Sequence, residues 1–220
     1  MTYYHFIRVT EDEQAYLGYD DNRIVTVGEP VTVEGEPILC EHGLHASARI
    51  IDALEYCPVG HVALCRVELG GTIIHDTDKS VASERTIIAM LGAERTAVLL
   101  QDFARWCALQ VVDLWDAPDV VREYLTTGDE TLRADAADAA ASPSPATPAA
   151  DAWAAWAASR SAREAARVAR SAREAARVAR SARVARSARS ASIDAARSAQ
   201  ESELQRLFHE AAEGGGVSHE

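Results

Sequence analysis

Cys40, His42 and His45 fall within six positions, on both sides of Gly43, in the run Ile38-Leu39-Cys40-Glu41-His42-Gly43-Leu44-His45-Ala46-Ser47. A thiolate and two imidazoles are donors that zinc accepts, and Cys57, His61 and Cys65 follow closely enough to offer a fourth. The spacing is poor for that purpose. Alternate residues share a face in an extended segment, so Cys40 and His42 can sit together, but Gly43 intervenes before His45. Neither a C-x-x-C knuckle nor an H-x-x-x-H helix is present. The expectation is a strand that turns into a helix through Gly43, with histidines that hydrogen-bond locally. Cys40, His42 and His45 stand as the metal candidates and His42, His45 and Tyr56 as the nucleotide candidates; no metal and no cofactor is expected. Asp76-Thr77-Asp78-Lys79-Ser80 reads as an acidic surface turn. No Ser/His/Asp set, P-loop or Rossmann fingerprint occurs, so no catalysis is expected.

These residues need a scaffold, and short strands are predicted from Tyr3 to about Leu91. YYHFIRV, RIVTV, PVTVEG, EPILC, HVALCRVEL and GTIIH are rich in β-branched and aromatic residues and are separated by Gly, Pro and Asp. The pair Gly70-Gly71 predicts a tight hairpin turn between the last two. One helix interrupts the strands over SARIIDALEYC, capped by Ser47 and stopped by Pro58. Beyond Gly92 the period becomes helical. Val98, Leu99, Phe103, Trp106, Cys107, Val111, Leu114 and Trp115 form one predicted buried stripe. Pro118 opens a second helix, Thr126-Thr127-Gly128 closes it, and DETLRADAADAA makes a third. The fold class is therefore α+β: a β-rich head over 1–92 with one packed helix, then an all-α Ala-rich module. That module divides into a helical segment over 93–141, a Pro/Ser linker over 142–150, repeat helices over 151–213 and a disordered tail over 214–220.

Charge separates the same two parts. The chain carries −12, but residues 1–150 hold 10 basic and 25 acidic side chains, whereas 151–220 hold 12 and 9. An acidic head with a basic arm is expected to attract itself or an outside partner. The four cysteines show no paired spacing, and MTYYHFIRVTEDE lacks the layout of a signal peptide, which together predict a cytosolic protein with free thiols. No apolar run approaches the roughly 18 residues of a membrane span.

The arm contains an identical duplication: 161–170 and 171–180 both read SAREAARVAR. Alanine favours helix, and its recurrence lays a small-residue stripe along one side. In the following triplets Ala182, Ala185, Ala188 and Ala191 step back by about 60° each time, so the stripe wraps round the helix. A break is expected between Ser187 and Ser192, and a last helix, capped by Ser192, should carry Ile193, Leu204, Leu207 and Phe208. The segment ADAADAA at 134–140 carries carboxylates where the arm carries guanidiniums, so Asp135 and Asp138 are expected to face the arginines. Trp153 and Trp156 would anchor the arm, and Arg163, Arg167, Arg170, Arg173, Arg177 and Arg180 are its candidate interaction residues. Nucleic-acid binding by the same arginines is the alternative use.

Two resemblances bear on function. Gly43-Leu44-His45-Ala46-Ser47 followed by Ala53-Leu54-Glu55-Tyr56-Cys57 resembles a segment of ADP-ribosyltransferases, with His45 in place of the aromatic that stacks on nicotinamide. That likeness would cast His5 and Glu68 or Glu84 in the remaining roles. The Gly-Leu-His-Ala-Ser turn, Leu64 to Gly71, Asp76 to Ser83 and Arg105-Trp106-Cys107-Ala108 together resemble an uncharacterised family of actinobacteriophage and prophage proteins. Residues 95–200 are similar to Ala-rich helical immunity proteins of polymorphic toxin systems. These resemblances imply a phage accessory or immunity-like role through protein–protein contact, with a nucleotide-binding head as the alternative.

Overall fold

The computed structural model describes residues 1–18, 21–141, 160, 172–187 and 193–213, and of 18, 21, 22, 172–174, 186 and 187 the backbone only. Seven strands come first: β1 (Tyr3–Val9), β2 (Ala15–Gly18), β3 (Asp21–Ile24), β4 (Pro30–Thr32), β5 (Leu44–Ala46), β6 (Val62–His75) and β7 (Ser80–Leu91), with α1 (Ile50–Glu55) between β5 and β6. Helices α2 (Ala93–Leu109), α3 (Asp119–Thr127), α4 (Arg133–Ala139), α5 (Ala172–Ser187) and α6 (Ile193–Glu213) follow. The class is α+β, a curled antiparallel sheet and then helices. Two compact units are present, Met1–Ala97 with Phe208–Glu220, and Val98–Leu207.

In the first unit the sheet order is β3-β2-β1-β6-β7-β4, every pair antiparallel, with β5 also on β7. A bridge between Tyr4 and Ser47 returns the chain beyond β5 to β1, so pairing runs β1, β6, β7, β5 and back to β1. The inner face holds the core of Tyr3, Ile7, Val9, Ala63, Cys65, Val67 and Ile87. Tyr4 and Phe6 of β1 and Val62 and Leu64 of β6, which alternate with these, are buried as well, so both faces of the two strands are covered there.

Three local expectations give way to the structure. Gly70-Gly71 is not a hairpin turn: β6 runs unbroken through it, with a register shift between Gly70 and Ile73 and Gly71 at φ +67°. A glycine pair serves a bulge as well as a turn, because both need a left-handed backbone. The hairpin turn lies at Asp76–Lys79, where the Asp76 N–H donates to the Lys79 carbonyl at 2.8 Å. Ser47 does not cap α1; its backbone is committed to Tyr4, and Arg49 precedes the helix and pairs with Asp52 at 2.6 Å. EPILC makes only the Ile38–His42 bridge, while SVASERTIIAML, not predicted as a strand, is β7.

α2 starts where predicted, and its cap comes from far away in sequence. Both carboxylate oxygens of Glu13 accept from the Ala93 N–H, at 3.0 and 2.9 Å. Buried Thr96 locks the same turn to the sheet, accepting from the Leu64 N–H at 3.0 Å and donating to the Leu91 carbonyl at 2.9 Å. In the same unit the edge of Phe208 meets the face of Tyr4 at 5.9 Å.

In the second unit Leu99, Phe103, Cys107, Val111 and Trp115 are buried as predicted, while Val98 is 51% exposed and Leu100 takes its place inside. Pro118 opens α3 and Gly128, at φ +69°, closes it. The arginine helix does not continue as a rod. Arg183 donates to the Gln200 side-chain oxygen at 2.7 Å, and Gln200 donates to the Ala179 carbonyl at 3.0 Å. Seventeen residues of straight helix would separate Arg183 from Gln200 by about 25 Å, so the chain reverses between them. On the last helix Ile193 is 58% exposed, whereas Leu204, Leu207 and Phe208 are buried. Among the described residues no helix is long and apolar enough to cross a membrane.

Candidate functional site

Gly43 fixes the geometry of the histidine turn. Its φ is +120°, and a Cβ there would lie 2.5 Å from Val81 Cγ2 and 3.2 Å from the Ala82 carbonyl, so only glycine fits. The close approach seats β5 on β7, with Leu44 opposite Ala82, His45 opposite Val81 and Ala46 opposite Ser80. Leu44 and Ala46 enter the core and His45 is half-buried.

The turn's polar groups engage separate backbone partners. His42 Nε2 lies 2.7 Å from the Glu34 carbonyl. The Cys40 N–H donates to His45 Nε2 at 3.2 Å, which leaves the His45 proton on Nδ1. Burial first, then Lys79 and Arg85, hold the His45 pKa below its usual 6.5. Cys40, with φ +66°, is exposed. Tyr56, the third nucleotide candidate, donates to Asp78 Oδ2 at 2.7 Å beneath Lys79, whose Nζ is 4.4 Å from the ring centroid. The bond to Asp78 raises the Tyr56 pKa, and the contact with Cys40 is the main cause of a raised Lys79. His45 and Tyr56 are thus linked through Cys40 and Lys79, while His42 turns back to the Glu34 carbonyl. Among the described residues no three His, Cys, Asp or Glu side chains are grouped to hold a metal ion.

Strand register decides which groups share the inside of the curl. His5 faces Cys65, and Leu69 faces Arg85, so His5, Cys65, Leu69 and Arg85 lie on one face, and His45 lies near enough to His5 and Arg85 for charge to act between them. Glu68 and Glu84 alternate with Leu69 and Arg85 and so occupy the opposite face. The carboxylates that the transferase resemblance would enlist are separated from the histidines by the sheet itself.

Arg85 is the residue the sequence reading passed over. It is 4% exposed, between buried Val81 and Ile87 on its strand face, and its Nη1 donates to the His45 carbonyl at 2.7 Å. Burial brings its pKa down to about 10, so it remains a cation, while burial raises Cys65 to about 12 and keeps that thiol neutral. His5 is held well below 6.5 by burial, then by Arg85 and His45.

The arginine arm is described from 172 to 187. Ala175, Ala176, Val178, Ala179, Ala182 and Ala185 are buried, so the small-residue stripe is packed within the chain. Arg177 and Arg180 point to solvent. Arg183 is carried inside as the triplets rotate the stripe, and Gln200, which receives it, also donates to Cys107 Sγ at 3.6 Å. α4 packs on α3, Asp135 and Asp138 are exposed, and among the described residues neither makes an ion pair with the arm. Trp153, Trp156, Arg163, Arg167 and Arg170 lie outside the described residues, as does the side chain of Arg173.

No curated protein and no solved structure matches the chain. Residues 13–98, from the loop before β2 into α2 and so including the histidine turn and Arg85, match a family described as a domain of unknown function (DUF7666).

Proposed function

We propose that the protein works by binding, as a phage or prophage accessory or immunity-like protein whose all-α Ala-rich module engages an acidic protein through the arginine face of α5. The observation that carries this reading is the division of that helix, with alanines and Val178 inward and Arg177 and Arg180 outward. The alanine stripe is already used inside the chain, so a partner meets guanidiniums, planar forks matched to carboxylates. Asp135 and Asp138, the internal acidic alternative, are not paired with them among the described residues. The similarity of 95–200 to helical immunity proteins supports a protein partner. The net charge of −12 opposes a polyanion at long range. The reading places the protein in the cytosol, where its four free thiols persist.

The test is capture from a nuclease-treated extract of cells that carry the protein, with wild type and an Arg177→Glu/Arg180→Glu variant immobilised side by side. The expected result is a protein retained by wild type, lost on charge reversal and weakened by salt. If wild type retains no protein, yet binds DNA or RNA with an affinity that falls by about three logs or more over a few-fold rise in salt, the nucleic-acid reading replaces it.

A further inference from the structure

Arg85 presents an imbalance that the fold alone does not account for. Its guanidinium has five N–H donors and a full positive charge, yet a single bond, to the His45 carbonyl, is all it makes among the described residues. Among the described residues no carboxylate makes an ion pair with it, and Glu68 and Glu84 lie on the other side of the sheet. Cys65, the ionisable group beside it, is a neutral thiol. A buried charge without a counter-charge costs several kcal/mol, and a neutral donor at position 85 would hold β5 equally well.

The surroundings are those of an anion site. His5 lies on the same face as Arg85 and is neutral at pH 7, so it can present an N–H without adding charge, whereas the His45 ring, also neutral, is already engaged by the Cys40 N–H and the Gly43 backbone. The His5 ring makes no hydrogen bond among the described residues. The remaining N–H groups of Arg85 are likewise unpartnered but are not among the side-chain nitrogens sealed from solvent. One fork and one imidazole donor on the same face of the sheet thus keep bonding capacity that no other described residue uses.

We propose that Arg85, flanked by His5 and His45 inside the curled sheet, anchors a binding site for a small oxyanion, the carboxylate or phosphate group of a small molecule. Arg85 supplies the charge and a two-pronged contact, and His5 supplies a neutral donor. His45 acts through its backbone by holding the guanidinium in place. The site is independent of the arginine face of α5, so it stands or falls separately from the protein-binding reading.

Three titrations of the full chain test it, with inorganic phosphate, adenosine monophosphate and acetate, each followed by calorimetry and by the Arg85 Nε–H resonance in the NMR spectrum. The expected result is saturable one-to-one binding of at least one probe that shifts that resonance. A response to both phosphates but not acetate assigns a phosphate ligand, and the reverse assigns a carboxylate. Arg85→Gln should weaken binding by about 10- to 100-fold. His5→Gln provides a second measure, independent of the folding of that variant, and should weaken binding by about 3- to 10-fold. The proposal is overturned if no probe moves the Arg85 resonance of the wild type, or if a folded Arg85→Gln protein binds as the wild type does.

Discussion

At the scale of single residues, the histidine turn is a matter of sterics and desolvation. Gly43 was recognisable in the sequence as the pivot, and the structure supplies the reason, the 2.5 Å gap to Val81 Cγ2. Gly43→Ala should cost about 3 kcal/mol in urea unfolding, from the clash together with the backbone strain of a positive φ. His5 and His45 give the protein a pH dependence whose sign follows from their lowered values. Below 6.5 the unfolded chain takes up protons that the folded chain refuses, so stability is full above 6.5 and is lost as pH falls toward the folded-state values. The urea midpoint should therefore drop between about pH 7.5 and 5, and His5→Gln should flatten that slope. An unchanged slope would mean that His5 is not buried beside the Arg85 cation. Arg85 escaped the sequence reading because β7 was not recognised. Once Val81, Arg85 and Ile87 are seen to alternate on one strand face, an arginine among core residues is the conspicuous position.

At the scale of elements, helices were legible and sheet details were not, and the reason is the range of the forces. α3 has its proline at the start and its left-handed Gly128 at the end, signals that act within a few residues. A break between α5 and α6 was legible too, though not the reversal, because three-residue steps on a 3.6-residue helix carry the alanine stripe away from a straight partner. The Gly70-Gly71 pair misled because a bulge and a turn need the same local backbone, and pairing with β7, more than ten residues on, decides between them. The α2 cap was illegible for the same reason, since Glu13 lies 80 residues before Ala93. Glu13→Ala should cost about 1 kcal/mol, measured by chemical denaturation, through loss of a charged acceptor at a helix N-terminus. Equal stability of that variant would show that the cap is dispensable.

At the scale of the whole molecule, the account assigns two separate binding surfaces to one chain. The first is built round a buried cation on one face of the sheet; the second is the guanidinium face of a helix whose alanines are spent on internal packing. Charge asymmetry in the sequence pointed to the second, while the first needed the strand register that places His5, His45 and Arg85 together. The claim on which the functional account turns is that a protein docks on α5. The most direct measurement is photocrosslinking in the cells that carry the protein, with a photoreactive amino acid placed at Arg177 in one version and at exposed Glu123 of α3 in another. The account predicts a discrete crosslinked protein from position 177, absent from position 123 and lost when Arg180 is changed to Glu. The same adducts from both positions, or adducts to nucleic acid alone, would contradict it.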